Sequence, residues 1–446
     1  MRRRASSLGP QSNRGMKMKK RVLGPAIGCL TSSLIFSADA LADGYFGSAS
    51  ASVFHSDNGN KSADNQISEV QQQYNIALGA NYENNIGKFE ADYSASYRSF
   101  SEETQQNKST LEGHSSLHLG RSSQLAELLI EHSRQTLLNK PDSLDLTTNQ
   151  EEREVLAITP KLNWHFTPVD TLFLQANYSD IRYLENELND STRAGGTLGL
   201  LHNITEVDSL GLNINSTKVE FEFFPEANYT LRSAFLTYAV HLRQLSYSVK
   251  VGSSQSEADS GEKYTDPTYL ASLTYKSGAN VFEVNIAQEL TDTSFGGGNK
   301  NSIIGTHSSD GGIDLSSQIN RKRADARWST TGICTRCTFT VNAFKTRDEY
   351  LSIARNTSET GVSIAADYML STASSLGLSF TQSDNHLPGE LLGENYKRQI
   401  AALAYTYRIG KSFSVRASFS DEKRTDNNPL FNYREKLVGI NLGYSF

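Results

Sequence analysis

Apolar and polar residues alternate with a period of two along almost the whole chain after residue 43. The clearest stretch runs Tyr74, Ile76, Leu78, Ala80, Tyr82, breaks at Glu83 to Gly87, and resumes as Phe89, Ala91, Tyr93, Ala95, Tyr97. Lys88, Glu90, Asp92, Ser94, Ser96 and Arg98 fill the positions between the second set. Successive side chains of a strand point to opposite faces, so this is a hairpin with one greasy and one wet side. Leu156, Ile158, Pro160, Leu162, Trp164 and Phe166 read the same way. So do the sets from Ala234 to Leu242, Leu245 to Val251, Tyr269 to Tyr275 and Phe282 to Ile286.

Short turns recur near residues 85, 122, 168, 206, 243, 278, 333, 372 and 410. Longer polar segments separate the hairpins: His55 to Glu69, Ser101 to Leu111, Leu138 to Glu152 and Leu387 to Tyr396. Short turns alternating with long loops is the arrangement of an outer-membrane barrel, turns in the periplasm and loops outside. With a first strand at Tyr45 to Phe54 and a last at Leu437 to Phe446, the count is about 18–20 strands; the pattern is weakest at 113–136 and 321–347. The repeat of Phe166 to Asn177 by Ile204 to Asn215 fixes the phase of the turns. At the C-terminus Val438, Ile440, Leu442, Tyr444 and Phe446 alternate strictly with Gly439, Asn441, Gly443 and Ser445. This resembles the terminal strand that the outer-membrane assembly machinery recognises, with Tyr444 and Phe446 as the signal. The fold expected is all-β: a single antiparallel transmembrane β-barrel over 43–446. No run of about 18 apolar residues follows the N-terminus, which excludes spanning helices. The 20 Tyr and 20 Phe exclude a disordered chain. A soluble β-sandwich or solenoid is the weaker alternative, since a sheet in lipid must close to leave no unpaired edge.

Residues 1–42 read as a signal peptide: a basic stretch (Arg2 to Arg21), an apolar core (Val22 to Phe36) and a small-x-small site at Ala40-Leu41-Ala42. Cys29 follows Ala26-Ile27-Gly28, a poor lipid-attachment context. Of the 43 Lys and Arg and 49 Asp and Glu, the leader holds 8 and 1, leaving 35 bases against 48 acids and a net charge of −13. Phosphate binding needs a basic surface, so nucleic acid is not expected as a partner. The exported chain retains Cys334 and Cys337, three residues apart; a turn disulfide or free thiols are expected, and no second pair exists for zinc.

A closed sheet of this size is too wide for its own side chains to fill. The first strand begins almost directly after the cleavage site, so no N-terminal plug is expected. The candidate lining of the lumen is Lys88, Glu90, Asp92 and Arg98, with Arg321, Arg323, Asp325 and Arg327. Either these select a polar solute or they pair with one another. The Gly-rich loop from Asp292 to Asn320 is expected outside the cell, with folding into the lumen as the alternative. Asp310-Gly311-Gly312-Ile313-Asp314 is too faint a calcium-loop likeness to be a site. His165, His202 and His241 follow the hairpin period, with His202 phased outward, so no metal or general-base centre is expected. Neither a Gly-x-Ser-x-Gly nor a His-Glu-x-x-His element occurs, and neither an enzyme nor a cofactor is expected.

The segment from Ile158 to Tyr178 (Ile-Thr-Pro-Lys-Leu-Asn-Trp-His-Phe-Thr-Pro-Val-Asp-Thr-Leu-Phe-Leu-Gln-Ala-Asn-Tyr) resembles hairpins of the outer-membrane β-barrel porins found with exopolysaccharide-synthesis operons. The resemblance implies a Gram-negative outer-membrane conduit that assists polysaccharide export. Its partners would be outer-membrane lipid, the barrel assembly machinery, polysaccharide and periplasmic export proteins. The rival expectation is a barrel whose acidic loops serve as adhesin, receptor or matrix anchor. A barrel hydrolase is weaker still.

Overall fold

The computed structural model describes residues 44–120, 125–139, 143–292, 318–351, 356–387 and 394–446. The predicted signal peptide, the calcium-like segment and most of the Gly-rich loop lie outside the described residues. Twenty strands follow one another: β1 Gly44–Ser56, β2 Glu69–Glu83, β3 Gly87–Phe100, β4 Lys108–Leu119, β5 Ala126–Leu138, β6 Gln150–His165, β7 Asp170–Tyr183, β8 Ser191–Asn203, β9 Asp208–Phe221, β10 Tyr229–His241, β11 Leu245–Ala258, β12 Lys263–Ser277, β13 Asn280–Asp292, β14 Gln318–Thr330, β15 Cys337–Tyr350, β16 Asn356–Met369, β17 Ser374–Leu387, β18 Glu394–Ile409, β19 Phe413–Asp426 and β20 Tyr433–Ser445. Each pairs antiparallel with its chain neighbours, and β20 returns to β1 from Ser48↔Ser445 to Ser56↔Leu437. The sheet is a closed barrel of 20 strands with no free edge.

Alternation sets the two faces. Ile76 and Leu78 on β2 are each 58 % exposed, and Leu212, Ile214, Val251, Ile440 and Leu442 stand open on the same outer face. A soluble protein does not leave a continuous belt of aliphatic side chains in water; a transmembrane barrel turns them to lipid. Aromatics edge the belt at the periplasmic end. Tyr275, Phe282, Trp328 and Phe339 form a continuous row, and Phe413, Tyr444 and Phe446 another.

The periplasmic turns carry out what the internal repeat implied. In the β6–β7 turn the Thr167 hydroxyl donates to Asp170 at 2.6 Å and accepts from the Val169 N–H at 3.2 Å. The β8–β9 turn repeats this with Thr205, Asp208 and the Val207 N–H. Gly278 (φ 58°) and Gly410 (φ 70°) supply left-handed corners in two other turns, a conformation that costs any residue with a Cβ. At the opposite end the strands outrun the expected loops: β4 starts at Lys108 and β6 at Gln150. Hydrogen-bond pairing continues above the apolar belt because polar outward residues tolerate water there.

The stretch weakest in sequence owes its weakness to its outer face. Tyr93, Ser115, His132 and Glu154 lie at outward positions of β3 to β6 and join by side-chain hydrogen bonds: Tyr93 hydroxyl to Ser115 at 3.1 Å and to His132 Nδ1 at 2.5 Å, and His132 Nε2 to Glu154 at 2.9 Å. Here β4 and β5 pair only over Gly113–Leu119 and Leu128–Arg134. Above that fork side chains replace the missing ladder. Glu152 accepts from Arg134 Nε at 2.7 Å and from the Leu111 N–H at 3.3 Å, and Glu112 accepts from the Thr136 N–H at 3.3 Å. The β6–β7 ladder also skips Thr159 and Pro160, since proline has no N–H to give.

Inside, four phenylalanines lie over glycines directly across the ladder. The pairs are Phe46 over Gly79, Phe54 over Gly439, Phe173 over Gly199 and Phe344 over Gly361. A Cβ at any of these glycines would collide with the ring. The rings cover bare backbone, so these inward aromatics lie against the wall.

Candidate functional site

The sequence candidates occupy the inward face on opposite sides of the ring. On β3, Lys88 pairs with Glu90 at 2.5 Å, Asp92 is exposed, and Arg98 donates to Gln71 at 2.5 Å. On β14, Arg321 makes a buried bidentate pair with Asp348 at 2.8 Å for both contacts. Asp325 accepts from Asn285 at 2.9 Å, and Arg327 pairs with Glu283 at 3.3 Å. Arg323 is buried. The two rows do not meet. Lys88, Arg321 and Arg327 are ion-paired along the wall, while Arg98 and Asp325 meet side-chain amides.

Charges converge instead at the extracellular mouth, in a cluster the sequence reading did not single out. Arg398 of β18, Glu422, Arg424 and Asp426 of β19, and Tyr433 and Glu435 of β20 all point inward at the outer ends of their strands. The β1–β2 loop brings Lys61 onto them. Its ammonium lies 3.3 Å from Glu422, 3.7 Å from Glu435 and over the Tyr433 ring. Arg398 donates to Glu422 at 2.5 Å, the Tyr433 hydroxyl donates to the same carboxylate at 2.8 Å, and Ser56 donates to Glu435 at 2.6 Å. Every buried charge here has a partner, as burial requires. Burial by itself would push the Lys61 ammonium down, but Glu422, Tyr433, Glu435 and Asp145 outweigh it and hold its pKa above the ordinary lysine range.

The β5–β6 loop reaches the same cluster from far along the ring. The Ser143 carbonyl accepts from Arg424 Nη1 at 2.8 Å, and Asp145 approaches Arg398 at 4.0 Å. Arg424 is held by Asp426 at 2.7 Å and stacks 3.8 Å above the Tyr396 ring. The β3–β4 loop ties the span together: Thr147 N–H donates to Gln105 at 3.0 Å, Thr147 hydroxyl donates to the Gln106 carbonyl at 2.9 Å, and Gln105 donates to the Gly59 carbonyl at 2.9 Å. Three loops thus lean together over the arc of the mouth that runs from β18 through β1 to β6.

A second crossing comes from β13 and β14. Strict alternation would turn Asp292 and Gln318 outward, yet both are buried. Asp292 accepts two bonds from Arg193 of β8, at 2.8 and 2.7 Å, and one from the Tyr229 hydroxyl of β10. Gln318 accepts from Ser256 of β11 at 2.5 Å. The outer ends of β13 and β14 therefore lean inward. The expectation that the Gly-rich loop sits outside or folds in concerns residues 293–317, which lie outside the described residues; its two anchors face the mouth.

The remaining candidates are local. Phe446 pairs with Gly47 through both backbone groups at 3.0 Å, and its ring covers that glycine. Cys334 and Cys337 stand in the β14–β15 turn with Cα atoms 5.4 Å apart. His202 pairs with Asp170 at 2.7 Å on the outer face, and His241 meets Ser246 at 2.8 Å inside. Among the described residues no group of three or more His, Cys, Asp or Glu is placed to hold a metal ion.

Fold and mouth together define a large transmembrane β-barrel with a polar inner wall. No protein-family model matches the chain, and no curated protein does. Solved barrels resemble it in form. The siderophore receptor PirA of Pseudomonas aeruginosa is 14% identical, with 91% of this chain and 80% of that one covered and a TM-score of 0.43. OpdK of the same species is 10% identical over 90% and 99%, with a TM-score of 0.39. A loop-deletion variant of OmpT, an outer-membrane protein of Vibrio cholerae, is 9% identical over 91% and 99%, at 0.37.

Proposed function

We propose that the protein is an outer-membrane channel for hydrophilic solutes, narrowed at its extracellular mouth by its own loops. The single observation that carries this reading is the span of the β1–β2, β3–β4 and β5–β6 loops onto Arg398, Glu422 and Arg424 above a polar inner wall. Barrels of about 16 to 18 strands already enclose a water channel. Inward-folded loops with paired charges set size and charge selection in such a pore. In this reading Lys88, Glu90, Asp92, Arg98, Arg321, Arg323, Asp325 and Arg327 line the passage.

The polymer form of this function, a conduit for exopolysaccharide, is supported by the resemblance of the Ile158 to Tyr178 hairpin. A sugar chain sliding through would favour exposed aromatic platforms. Phe54 and Phe344 are buried against glycines instead, which favours small polar solutes. Planar-bilayer recording of the purified protein tests the channel: steady ionic currents are expected, and electrical silence would favour a loop-bearing anchor or receptor. Gene deletion with measurement of secreted polysaccharide tests the cargo, and unchanged secretion would remove the polymer form.

A further inference from the structure

The outer face of β18, β19 and β20 changes character abruptly at its extracellular edge. Below that edge the outward residues are Tyr407, Tyr405, Leu403 and Ala401 on β18, Phe413, Val415, Ala417 and Phe419 on β19, and Tyr444, Leu442, Ile440 and Val438 on β20. One or two outward positions higher come Lys397, Lys423, Arg434 and Lys436. Lys423 and Arg434 are direct cross-strand partners, Lys436 stands opposite Asp421, and Lys397 is one diagonal step from Lys423. Like charges placed directly opposite are unfavourable in a sheet. Asp421 is the outward acid of these three strands, and Arg434 takes it at 2.5 and 2.8 Å; from the flanking elements Asp384 of β17 stands opposite Lys397, and Asp57 accepts from the Lys436 backbone N–H at 2.7 Å. Among the described residues Lys397, Lys423 and Lys436 make no ion pair, whereas Arg434 and Arg398 do.

From β5 to β9 the outward charges at the same level are mixed, with Arg134, Arg182 and Lys218 each bonded to a neighbouring carboxylate. Three lysines without ion pairs thus stand on the sector from β18 to β20, directly above the apolar belt.

We infer that this arc is a binding surface for the phosphorylated glycolipid of the outer leaflet, whose acyl chains lie on the belt and whose phosphates meet Lys397, Lys423, Arg434 and Lys436. Basic residues within a few ångströms of a membrane surface attract anionic headgroups, each by a modest and roughly additive amount, and ammonium and guanidinium groups are natural phosphate donors. The acyl belt supplies the second half of the recognition, so a free phosphate ion is not equivalent.

The test is native mass spectrometry of the full-length barrel in detergent, titrated with bisphosphorylated lipid A, with lipid A stripped of both phosphates, and with inorganic phosphate. Wild type is expected to retain the bisphosphorylated lipid. The variant Lys397→Gln/Lys423→Gln/Lys436→Gln, which leaves the Arg434–Asp421 pair intact, is expected to bind it at least about tenfold more weakly. Lys218→Gln on β9 is the matched control and should bind as wild type does. The unboiled gel mobility of each variant confirms a closed barrel. Equal retention by the triple variant, equal retention of the dephosphorylated lipid, or binding of inorganic phosphate as tightly as the lipid would each overturn the assignment.

Discussion

Lys61 adopts a left-handed backbone (φ 49°) so that its side chain drops between Glu422 and Glu435. That conformation costs roughly 1–2 kcal/mol for a residue with a Cβ, and the buried ion pairs offset it. Replacing Lys61 by Met leaves two carboxylates facing one another with Arg398 as the remaining cation. The expected loss is about 3 kcal/mol, read as a lower urea midpoint in micelles. The pH dependence has a definite sign. A lysine whose folded pKa is raised contributes fully below its ordinary range and loses the contribution only as pH rises through the raised value. Stability and conductance should therefore stay flat from about pH 7 to about pH 10 as far as Lys61 is concerned. A Lys61-dependent transition inside that window would refute the pairing. Gly439 makes a different demand: Gly439→Ala sets a methyl into the Phe54 ring. Overpacking of this kind costs about 1–3 kcal/mol, and Phe54→Ala in the same chain should recover part of it.

At the scale of elements, the β5–β6 loop is pinned across the mouth by the Ser143 carbonyl on Arg424 and by Asp145 near Arg398. Arg424→Ala removes the first bond and the support on Tyr396. Single-channel conductance is expected to rise and its fluctuations to grow, with the barrel intact. An unchanged trace would show that the loop does not restrict flow. The β14–β15 turn brings Cys334 and Cys337 within the Cα separation that a disulfide spans. Alkylation of the unreduced protein is expected to find no free thiol at either position, and labelling of both would exclude the bond.

Closure belongs to the whole molecule. Phe446 bonds Gly47 through its backbone and shields that glycine with its ring, next to Tyr444. Phe446→Ala is expected to keep the folded barrel but slow its formation in vesicles, measured by the appearance of the fast-migrating unboiled band. An unaltered rate would deny the residue a part in closing the ring.

The periodicity that made the barrel legible is a property of single strands. A residue such as Ile440 declares its face through its own neighbours, and the Thr-x-Val-Asp repeat declares two turns, because both rest on contacts a few residues apart. The count blurred at 113–136 because Tyr93, Ser115, His132 and Glu154 put polar atoms on the greasy face, where cross-strand bonds that no local pattern reveals satisfy them. The inward phase of Arg398, Glu422 and Arg424 was equally readable, but their partners Lys61, Ser143 and Asp145 stand hundreds of residues away along the chain. A loop carries no periodicity, so nothing in its sequence says which way it bends. Within the apolar belt, strand, face and turn were thus determined by the sequence alone. The convergence of three loops on one set of charges was decided only by closing the ring, which sets those loops around a common mouth.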